Sequence, residues 1–239
     1  MKKNGITFFG IAITVMVIMA TMTACASSGG TDNVNRNTRA DAGGRSAADY
    51  FDSGFAHLGR GDYDRAIADL SEAIRLDPNH ADAFYNRGLA YGRKMEYDAA
   101  ISDYSEAIRL NPNLSPAFQN RGMMYSQKQE RALALADFTE AIRLDPNNET
   151  AYFNRAILYG ITGDLSAAIA DWEAVLRINP NDAQARQQLL IHRFNRGVAS
   201  ANNGDIDSAI ADWEAILRID PNYPNARQYV QQARQMLGY

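Results

Sequence analysis

The chain has 239 residues, 46% hydrophobic and 22% charged, which is enough apolar material for the core of one or two folded domains. Its formal net charge is −4, and residues 1–24 hold two lysines and no acid, so the remainder carries 22 basic against 28 acidic side chains. This balance excludes a generic nucleic-acid-binding protein, which needs a basic surface to displace counterions from phosphate.

Residues 1–24 have the layout of an export signal. Lys2 and Lys3 precede the apolar run 6–20, and small residues follow it. Cys25, the single cysteine of the chain, comes next and has no partner for an internal disulfide. The run MTAC that ends at Cys25 resembles the lipobox of bacterial lipoproteins, with Met22 where leucine is usual. The resemblance implies lipidation of Cys25, with acyl chains such as palmitate, and export to the bacterial cell envelope as a membrane-anchored protein, periplasmic or surface-facing.

Two alternatives stay open for this segment. Residues 24–26 also fit an A-x-A cleavage site for simple secretion, and Ile6–Ala24 is long enough to span a bilayer uncleaved. Residues 25–46 are predicted to be a flexible tether, because they hold one valine and no aromatic residue and cannot bury enough surface to offset the entropy of ordering.

A pattern with a period of 34 residues begins at Ala47. Positions are counted so that the closing proline of each unit is position 32. The units are 47–80, 81–114, 115–148, 149–182 and about 183–222. Seven additional residues precede position 1 of unit 5, Leu190, and predict a longer first helix there. Residues 223–239 are predicted to form a helix that caps the end of the array.

Each unit has the periodicity of two helices. Positions 4, 8 and 11 form one stripe and positions 20, 24 and 27 another, with a small residue at 8 and a large one at 24 in most units. Glycine followed by aspartate, as in Gly61-Asp62, predicts the end of the first helix and the N-cap of the second. Arginine at position 7 and aspartate at position 23 are predicted to pair between the helices: Arg87, Arg121, Arg155 and Arg196 with Asp103, Asp137, Asp171 and Asp212.

With these residues repeated in register, residues 47–222 resemble the tetratricopeptide repeat (TPR) family. The resemblance implies an all-α fold, a right-handed α-solenoid of five helical hairpins plus the C-terminal capping helix. It also implies a concave groove lined by the first helices, which binds proteins or peptides without catalysis. The sequence contains no nucleophile motif, phosphate loop or Cys/His pairing, so no catalytic residue, metal site or cofactor is predicted.

The helix geometry also predicts which residues a partner would meet. Positions 2, 5, 6, 9, 12 and 13 lie opposite the stripe at 4, 8 and 11. The predicted groove residues are Phe51, Phe55, Tyr85, Asn86, Leu89, Asn120, Met123, Phe153, Asn154 and Ile157. Asparagine amides can donate to and accept from an extended peptide backbone, and the apolar side chains supply contact area.

Other interpretations of the groove remain open. Position 9 could pack between neighbouring helices while the asparagines merely face solvent, or the groove could hold the chain's own tail or a second copy. The cationic residues by which one TPR subclass grips acidic C-terminal tails are absent from this face of the sequence.

The leading hypothesis is a lipid-anchored TPR adaptor or scaffold that binds a protein or peptide in cell-envelope assembly or maintenance. The alternative is a self-associating structural or surface lipoprotein, a homo-oligomer without a dedicated peptide ligand. Neither hypothesis requires nucleic acid or enzymatic activity.

Overall fold

The computed structural model describes residues 44–238, so the predicted signal segment, Cys25 and nearly all of the predicted tether lie outside it. The described residues form eleven α-helices: α1 Ala47–Gly59, α2 Tyr63–Leu76, α3 Ala81–Arg93, α4 Tyr97–Leu110, α5 Ser115–Gln127, α6 Arg131–Leu144, α7 Glu149–Thr162, α8 Leu165–Ile178, α9 Ala183–Asn202, α10 Ile206–Ile219 and α11 Ala226–Leu237. No helix between residues 44 and 238 is long and apolar enough to cross a membrane.

The helices pair as hairpins, with α1 against α2, α3 against α4, α5 against α6 and α9 against α10, while α7 and α8 share one hydrophobic cluster. This all-α arrangement confirms the predicted fold class. The chain divides into two compact units, one ending at Ala151 and the other beginning at Tyr152. We call them the N-terminal unit (44–151) and the C-terminal unit (152–238).

The turn between the helices of a hairpin is built as the Gly-Asp pairs predict. In units 1, 4 and 5 the glycine adopts a left-handed φ, and the next aspartate accepts a hydrogen bond from a backbone amide of the second helix. The glycines are Gly61, Gly163 and Gly204, and the capping residues are Asp62, Asp164 and Asp205.

Units 2 and 3 close the same turn in another way. Met95 holds a left-handed φ of 62° without being glycine, and Glu96 makes no capping bond with its side chain. Lys94 instead joins two carboxylates, with Nζ 2.8 Å from Asp64 Oδ1 of unit 1 and 2.8 Å from Glu96 Oε1. Unit 3 repeats this arrangement around Lys128. An interunit ion pair therefore accompanies the turn wherever the Gly-Asp pair is missing.

In units 1, 2, 3 and 5 the two helices of a hairpin approach closely because position 8 is glycine, whereas unit 4 has the fully buried Ala156 there, in one cluster with Trp172. A Cβ atom added to Gly88 would lie 2.8 Å from the ring of Tyr104, which is closer than non-bonded atoms approach a Cβ atom in folded proteins. The same conflict arises at Gly54 with Leu70, at Gly122 with Phe138 and at Gly197 with Trp213. The large residue at position 24 therefore packs directly on the backbone of the first helix.

The predicted arginine–aspartate pairs are confirmed in units 2 to 5. Arg87 donates from Nε and Nη2 to the two carboxylate oxygens of Asp103, each at 2.8 Å, and units 3 to 5 repeat this bidentate geometry. The hydrogen bond with Asp103 raises the pKa of Arg87, so the guanidinium stays charged. Its remaining amino group donates to Ser71 Oγ of unit 1 at 2.9 Å, which links adjacent units.

The first helix of unit 5, α9, has 20 residues, whereas the other first helices have 13 or 14. His192, at position 3 of unit 5, lies in the interior and is 2% exposed, as the alanines at position 3 of units 2 to 4 are buried. Its Nδ1 lies 2.7 Å from the Gln188 carbonyl oxygen and donates to it. Its Nε2 faces Gly160 of α7 and has no hydrogen-bond partner among the described residues. Burial lowers the pKa of His192, because a charged ring would be poorly solvated there.

We expect Asp103→Asn to lower the free energy of unfolding by on the order of 3 kcal/mol, because it leaves the guanidinium of Arg87 without a charged partner in a largely buried site. The matched control is Glu106→Gln, which breaks the exposed Glu106–Arg109 pair and should have a much smaller effect, because water solvates both partners once they separate. Urea unfolding followed by circular dichroism measures both. Similar losses in the two variants would contradict a structural role for the buried pair.

We also expect acid to destabilise the C-terminal unit through His192. The unfolded ring takes up its proton near pH 6.5 and the folded ring only at lower pH, so stability falls as the pH drops below about 6.5, by at most about 1.4 kcal/mol per pH unit. Both tryptophans, Trp172 and Trp213, are buried in this unit, so tryptophan fluorescence during urea unfolding reports on it alone. His192→Leu should flatten the dependence; an unchanged slope would exclude His192 as its source.

Candidate functional site

The first helices of the N-terminal unit, α1, α3 and α5, carry seven of the predicted groove residues. Phe55 is the most accessible of them, with 50% of its surface exposed. Its ring stacks with that of Phe51 at 6.3 Å between centroids, and Phe51 stacks in turn on His80 at 4.6 Å. We call Phe51, Phe55 and His80 the aromatic patch. It lies at the start of the array, on the first hairpin and the loop that leaves it.

The asparagines are more buried than the sequence suggests. Asn86 is 7% and Asn120 is 4% exposed. Asn86 Nδ2 donates to the Asp82 carbonyl oxygen of its own helix at 2.8 Å, and Asn120 Nδ2 donates to the Tyr85 hydroxyl of the preceding unit at 3.1 Å. The interpretation that these two side chains merely face solvent is therefore wrong. Their amide donors hold the face together.

The apolar residues at position 9 of α3 and α5 are also largely packed. Leu89 and Met123 are each 9% exposed, whereas Phe55 at the same position of α1 is 50% exposed. Tyr85, at position 5, packs its ring 5.9 Å from that of Tyr104 in the same hairpin. Burial raises the pKa of the Tyr104 hydroxyl well above its ordinary value, so this residue contributes packing and no ionisable group.

The C-terminal unit carries the remaining three predicted residues on α7. Phe153, Asn154 and Ile157 are each half-buried. The Phe153 ring meets Trp172 edge-on at 5.0 Å, which leaves part of Phe153 accessible on the face of the helix. The equivalent aromatic residue of α9, Phe194, is 1% exposed because Tyr223 and Tyr229, before and within α11, pack against it. The capping helix therefore covers this end of the face.

His80 is the residue that the sequence analysis missed at this site. It lies in the loop before α3, where Nδ1 accepts a hydrogen bond from the Ala83 amide at 3.3 Å and caps the helix. Its ring is thereby fixed beneath Phe51. The sequence feature that could have identified His80 is its position directly before a predicted helix, where a side-chain hydrogen-bond acceptor is expected.

The arrangement offers binding contacts and no assembled reactive group. Within residues 44–238, no group of three or more His, Cys, Asp or Glu side chains is placed to hold a metal ion. The face combines an exposed aromatic patch with hydrogen-bonded amides, which suits contact with another chain.

Models of the tetratricopeptide repeat match the chain continuously from residue 54 to residue 224. A model described as TPR repeat matches 54–94, and models described as tetratricopeptide repeat match 81–114, 115–148, 138–170 and 163–224. Together these matches span more than half of the chain. No curated protein sequence matches it.

Three solved structures show the same fold. The crystal structure of MamA protein aligns with a TM-score of 0.60 at 23% identity, over 76% of this chain and 94% of that one. YrrB, described as a TPR protein with an unusual peptide-binding site, aligns at 0.57 and 23% identity, over 79% and 92%. A tetratricopeptide repeat protein from Parabacteroides merdae ATCC 43184 aligns at 0.58 and 19% identity, over 80% and 73%. At these identities the likeness concerns the fold alone.

Proposed function

The chain belongs to the tetratricopeptide repeat family, and we propose that it is an adaptor that binds a protein or peptide partner on the face of its first helices. We propose further that a lipid on Cys25 holds it at a membrane of the bacterial cell envelope, where it serves assembly or maintenance.

The observation that carries the proposal is the exposure of Phe55. Half of this large apolar side chain is in contact with water, although every other first helix with a large residue at position 9 buries more of it. Phe51 and His80 extend the same surface and hold its rings in place. Exposed aromatic side chains that lie outside the packed core are typical of interaction sites.

The polar neighbours of the patch fit an extended partner. Gln119 donates to Asn120 Oδ1 at 3.2 Å, and Asn120 donates to Tyr85, so three side chains of α3 and α5 form one chain of hydrogen bonds. These hydrogen bonds fix the positions of the partly exposed Tyr85 and Gln119 side chains, whose remaining polar groups can bond to an extended peptide backbone. The description of YrrB as having a peptide-binding site agrees with this use of the fold. TPR domains are generally interaction modules, and we propose no catalytic role.

The anchoring proposal rests on the sequence around Cys25. A single acyl chain holds a protein at a membrane only marginally, whereas two or more give a durable anchor. Cleavage before Cys25 with acylation of its thiol and its new amino group would supply them. The residues between Cys25 and α1 would then act as a spacer between the membrane and the folded body.

We expect a photoreactive phenylalanine analogue at position 55 to form an adduct with one discrete protein in living cells. The matched control is the same analogue at Leu133, because this residue is 48% exposed and lies on a second helix, α6. Gel electrophoresis and mass spectrometry identify the adducts. An adduct with a second copy of the chain would support the self-associating alternative, and identical adducts at both positions would contradict binding on the first-helix face.

We expect the protein to incorporate radiolabelled palmitate in cells and Cys25→Ala to abolish that incorporation, because the thiol is the proposed acylation site. Gel autoradiography of the purified protein measures the label. Equal labelling of both proteins would exclude Cys25 as the anchor.

A further inference from the structure

We propose that the aromatic patch selects a segment in which lysine or arginine stands beside apolar residues. This inference rests on the proposed function and specifies the chemistry of the partner at the same face. It follows from the charges that surround Phe55.

Two exposed aspartates, Asp52 between Phe51 and Phe55 on α1 and Asp82 two residues after His80 on α3, have no ion-pair partner among the described residues. Asp52 precedes Phe55 by three residues on α1, and Asp82 precedes Tyr85 by three residues on α3, so each lies on the same helix face as an aromatic ring. Both aspartates are exposed. An incoming cation would meet an aromatic face and a carboxylate together, and both attract it.

The cations of these helices are either engaged or distant. Arg87 is held by Asp103 through two hydrogen bonds. Arg60 and Arg93 stand at the far ends of α1 and α3, eight and eleven residues after the aspartates, which corresponds to about 12 and 16 Å along a helix. Salt at physiological concentration screens exposed charges beyond about 8 Å. Arg45, which precedes α1, donates to the Asp49 carbonyl oxygen, and Lys94 at the end of α3 pairs with Asp64 and Glu96. Asp52 and Asp82 are therefore exposed carboxylates that no described cation of these helices neutralises.

This field argues against the other occupants. An acidic peptide would bring its carboxylates against Asp52 and Asp82. A two-fold interface uses the same patch twice. A second copy bound through this face would therefore place the aspartates of both copies in one interface, where their like charges repel. A segment that carries lysine or arginine causes no such repulsion, because its cations are attracted to Asp52 and Asp82. The same cations can also contact the aromatic rings.

The test uses two fluorescein-labelled twelve-residue peptides made of serine, leucine and phenylalanine, with three lysines in one and three glutamates in the other. Fluorescence anisotropy with the full chain in a non-ionic detergent gives each Kd at 50 and 300 mM salt. We expect the lysine peptide to bind at least tenfold more tightly at 50 mM and to lose most of this preference at 300 mM. Equal affinity for the two peptides would overturn the inference.

Three variants locate the residues that select the lysine peptide. Asp52→Asn combined with Asp82→Asn should weaken the lysine peptide five- to tenfold and leave the glutamate peptide no weaker, whereas Asp207→Asn on α10 of the C-terminal unit removes an exposed charge and should change nothing. Unchanged binding in the double variant would overturn the inference. Phe55→Ser should weaken the lysine peptide and retain the fold by circular dichroism.

The remaining outcomes separate the two proposals. If Phe55→Ser weakens both peptides equally and the aspartate variants weaken neither, the face binds peptides but the charge selection is wrong. If neither peptide binds and position 55 forms no adduct in cells, both proposals fail. If Arg36→Ser with Arg39→Ser strengthens the lysine peptide severalfold, the chain's own N-terminal segment competes for the patch, and the assignment to a separate partner is wrong.

Discussion

The close approach of two helices at position 8 is the constraint on which the rest of the structure depends. At Gly54, Gly88 and Gly197 even one methyl group would overlap the large side chain at position 24, and at Gly122 it would lie only 3.0 Å from Phe138. Interiors are packed densely enough that such an overlap requires the helices to move apart. The helix spacing thus fixes which side chains of the first helix point inward to the second helix and which remain on the opposite face.

The arginine–aspartate pairs follow from this spacing. Once the helices are close, positions 7 and 23 meet at the edge of the core, where a single buried charge would be strongly unfavourable. The bidentate geometry satisfies both partners, and the rings at positions 4 and 11 lie within 6 Å of the guanidinium, as Phe84 and Tyr91 do around Arg87. The third amino group bonds Ser71 of the neighbouring unit. One side chain therefore orients its own hairpin and the preceding one.

The sequence predicts this interior well, because each interaction recurs at a fixed period and joins positions whose helix faces are known. It predicts the outer face poorly. Four residues of the predicted face are buried: Asn86, Leu89, Asn120 and Met123. Their exposure depends on the distance to the neighbouring first helix. The sequence pattern of a single repeat does not predict that distance. Phe55 differs because no described helix precedes α1. The repeat pattern could not predict the stacking of His80 on Phe51 either, because the other units carry serine, leucine or asparagine before position 1.

The burial of the asparagines changes how the face can recognise a partner. Side chains that must be ordered on binding reduce affinity by about 0.5–1.5 kcal/mol each. Here Asn120 is already bonded to Tyr85 and Gln119, and Phe51 is already stacked on His80, so these groups lose little freedom when a partner arrives. Phe55 and the two exposed aspartates are the groups left to adapt. The proposed recognition on the N-terminal unit therefore depends on a few residues of its first two hairpins, and these can change without disturbing the glycine and arginine contacts that maintain the fold.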